Sequence, residues 1–272
     1  MKYLSNLKIL CVSFFLFCAF SSCQTVPETN RSQLVLIDSG TELAMGSNAY
    51  KEILSRSKIS KDQRLTAILR RVGMRIARVA NMPGFKWEFN LIETEAPNAY
   101  CLPGGKVGVN TGILPIAQNE AGLATIIGHE VAHAIARHGA ERMSQGLLIA
   151  IAGELLAQGV TKQESNREIF RAAYGLGTAV AVTLPFSRSH ELEADHLGLL
   201  YMARAGYDPN EAKRFWRRFA EYAIKKGKSN KLEFLSTHPA DEKRISQIGN
   251  LLQRARAEYA KSEKIGLGES LM

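Results

Sequence analysis

The chain has 272 residues, of which 46% are hydrophobic and 22% charged, a globular balance that excludes disordered and fibrous classes. Its 35 lysines and arginines against 26 acids leave +9, a modest excess spread along the sequence. That excess suits an anionic membrane surface, but no basic run is interleaved with aromatics, so no nucleic-acid partner is expected.

Met1 to Lys8 carries two lysines and no acid, Ile9 to Phe20 is almost purely apolar, and Ser21 and Ser22 are small. This is the order of a secretory signal, with an apolar run too short to span a bilayer comfortably. Phe20-Ser21-Ser22-Cys23 resembles a bacterial lipobox, with Phe20 in place of the usual Leu and Cys23 as the acylated first residue. The competing reading is an ordinary signal peptide with a chance cysteine. Cys11 and Cys18 fall inside the leader, so acylation of Cys23 leaves Cys101 alone and excludes an intrachain disulfide. Gln24 resembles the residue of lipoproteins sorted to an outer membrane rather than an inner one.

Gln24 to about Ser47 is polar and short on periodicity, and reads as a tether. Leu65, Ile68, Leu69, Val72, Ile76 and Val79 then repeat with the spacing of an amphipathic helix that ends near Asn81, before Pro83-Gly84. Phe85, Trp87, Phe89 and Leu91 alternate with polar residues, as in a half-buried strand. Pro103-Gly104-Gly105 marks a turn before a second short strand over Lys106 to Val109, and after Leu114 the chain reads as helix with loops. Leu147–Ala157 and Ala172–Phe186 are apolar but interrupted by Glu154 and by Pro185 with two glycines. Both fall short of the roughly 20 apolar residues of a spanning helix and are expected as buried helices.

His129-Glu130-Val131-Ala132-His133 places two imidazoles one turn apart on a single helix face, where they can share one tetrahedral ion. Glu130 projects about 100° round the helix, in reach of a water at the metal but not of the metal itself. Leu123, Ile127, Val131 and Ile135 supply the core stripe of that helix, and Asn119 is its expected N-cap. A third ligand comes from Ser187–Asp195. Glu191 and Asp195 share a helix face with Ala194 and Gly198, residues small enough for close approach to the His129 helix. Glu191 is the expected ligand, and Asp195 the expected acceptor for a ligand histidine N–H. Glu193 points elsewhere and is expected in solvent. His138, five residues past His133, is read as surface or as a support behind the ligands, and His190 and His196 as bystanders.

His129-Glu130-x-x-His133 followed by Ser187-Arg188-x-x-Glu191-x-Glu193-Ala194-Asp195-x-x-Gly198 resembles the gluzincin metalloproteases related to the CaaX prenyl endopeptidase, the HtpX/LoiP/BepA group. Asn98–Gly105 with Val107-Gly108-Val109 is similar to that family's turn and edge strand, and Ser236-Thr237-His238-Pro239 with Arg244-Ile245 to its late Thr-His-Pro segment. The likeness runs from about residue 48 to 256, and the short build, without the transmembrane helices or repeat domain of other members, is similar to LoiP-like lipoproteins.

The resemblance implies a mostly helical α+β domain with a small sheet. It implies one zinc ion held by His129, His133 and Glu191, and Glu130 as catalytic acid and base. His238 resembles a histidine able to fill the open metal position and hold the enzyme inactive; alternatively His238 or Arg244 stabilises the oxyanion. Cys101 stands where the family carries an apolar residue and is expected buried and inert. The expected division is a lipoprotein signal peptide at 1–22, lipidated Cys23 with a tether to 47, a zinc metallopeptidase domain at 48–262 and a tail at 263–272.

The expected function is zinc-dependent endopeptidase cleavage of unfolded or misassembled envelope proteins, a quality-control role. Extended substrates are expected to pair with an edge strand at Lys106, Val107, Gly108 and Val109. The expected place is a bacterial cell envelope, lipid-anchored at the outer membrane and facing the periplasm. The alternative is an autoinhibited or non-catalytic chaperone or assembly lipoprotein that retains its zinc. An aminopeptidase is disfavoured, because the sequence shows no acidic motif for binding a substrate N-terminus.

Overall fold

The computed structural model describes residues 23–157, 186–226, 234, 237–239 and 242–272. Expected features at 1–22, at 172–185 and at Ser236 lie outside the described residues. The described part is helical with two small sheets, an α+β arrangement as expected.

Strands β1 (Cys23–Thr25) and β2 (Ser32–Leu34) form an antiparallel hairpin, and α1 (Ser39–Ser55) follows, its N-cap Asp38 accepting from the Thr41 amide. Residues 24–47, expected as a tether, are therefore folded onto the body. Val26 and Val35 are buried, and Arg137 reaches Glu42 at 2.7 Å. The segment lacks periodicity because single anchoring side chains, not an amphipathic face, hold it down.

Helix α2 (Gln63–Ala80) buries Ile68, Leu69, Val72 and Ile76 and closes on Asn81 in the left-handed conformation. Strands β3 (Glu88–Ile92), β4 (Ala99–Leu102) and β5 (Lys106–Asn110) form a sheet in the order β3-β5-β4. Strand β5 runs parallel to β3 and antiparallel to β4, so the segment expected at an edge is the middle strand. Lys106 is buried there because Glu88 and the Lys86 carbonyl take its ammonium. The edge next to the metal helix is β4.

After the short α3 (Leu114–Ala117), helix α4 (Glu120–Ile135) is buried at every residue, with Asn119 capping the Gly122 amide. It packs against α6 (Arg188–Arg204), α2, β4 and α7 (Asn210–Lys226). Helices α5 (His138–Ala157) and α8 (Glu242–Lys261) complete the described body. No described helix is long and apolar enough to cross a membrane.

The tail at 263–272 docks rather than dangles. The carbonyls of Leu267 and Glu269 accept from the Ala121 and Glu120 amides, two donors of the α4 first turn that have no partner inside the helix. Leu271 is buried beside them.

Candidate metal centre

Helices α4 and α6 cross in near backbone contact. A Cβ on Gly198 would lie 2.7 Å from the His129 nitrogen, and one on Gly128 2.8 Å from the Gly198 carbonyl oxygen. Two glycines thus bring the His129/His133 face against the Glu191/Asp195 face, as the small residues of the acidic segment predicted.

The donor atoms of His129, His133, Glu191 and His238 converge within 4.8 Å of one another, all buried. His129 Nε2 lies 3.1 Å from His133 Nε2 and 3.2 Å from His238 Nδ1. Glu191 places Oε1 3.2 Å from His133 Nε2 and 2.9 Å from His238 Nδ1, and Oε2 3.4 Å from His129 Nε2. A tetrahedral zinc shell with bonds of about 2.0–2.1 Å sets its donors roughly 3.3 Å apart. Three nitrogens and a carboxylate at these separations fit zinc. Glu130 adds a second sign: its Oε1 is buried without a hydrogen-bond partner, 3.5 Å from His238 Nε2.

Asp195 stands behind His129, with Oδ1 3.0 Å from Nδ1, as expected. Arg244, on α8, grips both Asp195 oxygens at 2.7 Å, lies 2.7 Å from Glu191 Oε2 and stacks 4.0 Å over Trp216. Its guanidinium is engaged with these carboxylates rather than aimed at an oxyanion position. Burial would drive the His129 pKa down, but Asp195 and Glu191 raise it to about 9. His133 goes the other way, pulled well below its ordinary value by burial. Burial opposes ionisation of Glu191 too, yet His238 and Arg244 hold its carboxyl far below the usual range. Asp195 is likewise depressed, by Arg244 against burial. Glu130 is raised, chiefly by burial.

Several side chains depart from expectation. Glu193 is buried, not solvated: its Oε2 accepts from Arg31 Nε at 2.7 Å and lies 2.9 Å from His138 Nε2, and Thr29 donates to Oε1. His138 is fully buried with Nδ1 2.9 Å from His133 Nδ1, the support position behind the ligands. His190, no bystander, stacks on His138 and pairs with Glu141 at 3.0 Å. His196 is set apart, beside Arg254 on the outer face of α6. Cys101 is buried, and burial pushes its thiol pKa far up, as for an inert thiol. Phe186, stacked on His133 with centroids 4.0 Å apart, and Trp216, 5.4 Å from the His129 ring, were not singled out from sequence. Both come from segments distant in the chain, and no local pattern flags them.

Three histidines and a carboxylate from a second helix, all buried and convergent, form a candidate zinc centre. The family model described as Peptidase family M48 matches residues 63–252, and the chain belongs to that family. It is a zinc metalloendopeptidase. It is similar to the mitochondrial metalloendopeptidase OMA1 of Schizosaccharomyces pombe, 36% identical over 90% of this chain and 71% of that protein. OMA1 of Saccharomyces cerevisiae is 31% identical over 98% and 79%. The β-barrel assembly-enhancing protease of Escherichia coli is 25% identical over 89% of this chain and 50% of its own length. These relatives correct the expected bacterial outer-membrane location facing the periplasm. The two matched across most of both chains are named mitochondrial.

Proposed function

We propose that His129, His133 and Glu191 hold the zinc and that Glu130 is the proton carrier of peptide-bond cleavage. The observation that carries this is the convergence of the donor set with the unpartnered Glu130 oxygen on the same side. Bound zinc supplies a Lewis acid for the attacking water and the scissile carbonyl. Glu130 takes the proton of that water and delivers it to the leaving amine. Asp195 orients the His129 ring, and Arg244 fixes Asp195 and Glu191 relative to each other.

The substrate is an extended stretch of an unfolded or misassembled protein, paired by its backbone with β4. That strand hydrogen-bonds to β5 on one side only, and no strand covers its other edge among the described residues. This replaces the Lys106–Val109 edge, whose two sides are both paired. Acylation of Cys23 would tether the protease to a membrane, a reading that rests on the lipobox-like sequence. The likeness to LoiP-like lipoproteins rests on the same segment. Intact-mass measurement of the protein extracted from membranes tests it, since a diacylglyceryl mass starting at Cys23 is required.

His238 joins the donor set, which favours a closed form that opens when this side chain leaves. The full chain, wild type against Glu130→Gln and His238→Ala, tests these roles with bound zinc and cleavage of casein as readouts. Wild type and Glu130→Gln are expected to hold one zinc each, with cleavage falling by on the order of 10²–10⁴-fold in Glu130→Gln, and His238→Ala to cut faster than wild type. Full cleavage by Glu130→Gln would overturn the role of Glu130. Slower cleavage by His238→Ala with zinc retained would make His238 part of the chemistry rather than a gate.

A further inference from the structure

His129 and His133 are supported differently. Behind His129 stands a carboxylate, Asp195, whereas behind His133 stands another imidazole, His138. His133 turns Nε2 toward the donor cluster, so its Nδ1 carries the proton when Nε2 binds a metal, and that N–H needs an acceptor. Among the described residues, His138 Nδ1 stands there, at 2.9 Å. Accepting there requires Nδ1 of His138 to be bare and Nε2 to be protonated, and Nε2 faces Glu193 Oε2 at 2.9 Å. Each tautomer in the series is thereby fixed by its neighbour. Glu193 is held in turn by Thr29 and by Arg31 Nε at 2.7 Å, both in the turn of the β1–β2 hairpin. The two terminal nitrogens of the same guanidinium clamp Glu141 at 3.0 and 2.8 Å.

We propose that His138 and Glu193, anchored by Arg31 of the N-terminal hairpin, are positioning residues for His133, which makes the hairpin part of the metal site. The proposal rests on His133 being a zinc ligand. His138 sits where it does because α4 stops at Ile135 and Arg137 turns with φ of 55°, which swings the next residue back under the last turn.

The test uses the full zinc-loaded chain and reads the rate of zinc transfer to a chelator, together with the d–d absorption of the cobalt-substituted protein. The variants are His138→Phe, the near-isosteric Glu193→Gln, Arg31→Ala with its conservative partner Arg31→Lys, His133→Ala as the ligand control and Glu120→Gln as a stability control. Loss of a supporting partner of a metal ligand weakens binding about 10–100-fold. His138→Phe is expected in that range with an altered cobalt spectrum, and Glu193→Gln and Arg31→Ala several-fold, with Arg31→Lys recovering part. Glu193→Gln keeps the shape of the site, so it decides the matter even where His138→Phe does not fold. Zinc release within twofold of wild type and an unchanged spectrum in Glu193→Gln and Arg31→Ala would overturn the proposal, as would an equal effect of Glu120→Gln. Wild-type release and spectrum in His133→Ala would instead remove His133 from the ligand set, and the support with it.

Discussion

Asp195 is shared between His129 Nδ1 and the two-pronged grip of Arg244, so one carboxylate aligns a ligand and neutralises a buried guanidinium. Asp195→Asn keeps an oxygen but loses the charge that Arg244 requires. Zinc affinity is expected to fall about 10–100-fold, measured by chelator competition. Glu120 is a buried carboxylate of a different kind, remote from the donor cluster. Burial opposes its ionisation, but Arg71, Tyr207 and the Glu269 amide hold its pKa below the ordinary 4.5. A depressed folded-state pKa stabilises the protein above the unfolded value and is lost as pH falls through and below it. Wild type is therefore expected to lose stability below about pH 4.5, and Glu120→Gln to show a shallower loss over that window, followed by urea unfolding at stepped pH. At this scale the His-Glu-x-x-His residues and Asp195 were legible because helical spacing alone sets their faces. Glu193 was misplaced, and His138 was left open between surface and support, for one reason: a helical wheel says nothing about what packs on its far side, nor that α4 ends before His138.

Between elements, the decisive contact is the Gly128/Gly198 crossing of α4 and α6. A methyl at Gly198 would meet the His129 nitrogen at 2.7 Å and the Gly128 carbonyl carbon at 2.8 Å, both backbone and unable to step aside. Gly198→Ala is expected to cost at least about 1–3 kcal/mol and to part Glu191 from the histidines, so chemical denaturation and zinc content should fall together. Asn119→Ala removes the α4 cap and is expected to cost about 1 kcal/mol, read by the same denaturation with the zinc stoichiometry unchanged. The α4 and α2 helices could be read from Asn119, Asn81 and the periodic apolar residues. The strand order could not. Lys106–Val109 read as a short strand after a Pro-Gly-Gly turn, Ala99–Leu102 was not read as one, and only the parallel pairing of β3, a contact between distant segments, makes β5 the middle strand.

Across the whole molecule, both flanks of the catalytic body serve α4. The N-terminal hairpin reaches its C-terminal end through Arg31, Glu193 and His138, while the residues after α8 cover its start. Leu271→Ala is expected to destabilise the protein by at least about 2 kcal/mol, as for a buried leucine, seen as a lower melting temperature. The fold class and the zinc chemistry were readable from the motifs and the family resemblance they carry. The docking of residues 24–47 was not, since its anchors are isolated side chains that meet partners far along the chain, as Arg31 meets Glu141 and Glu42 meets Arg137. The order of synthesis gives the tail contacts another meaning. Leu267 and Glu269 leave the ribosome after every group of the site, so a growing chain carries the whole donor set before α4, which presents His129 and His133, has its final amide acceptors. The helix that carries His129, Glu130 and His133 is thus completed only by residues translated after the whole donor set.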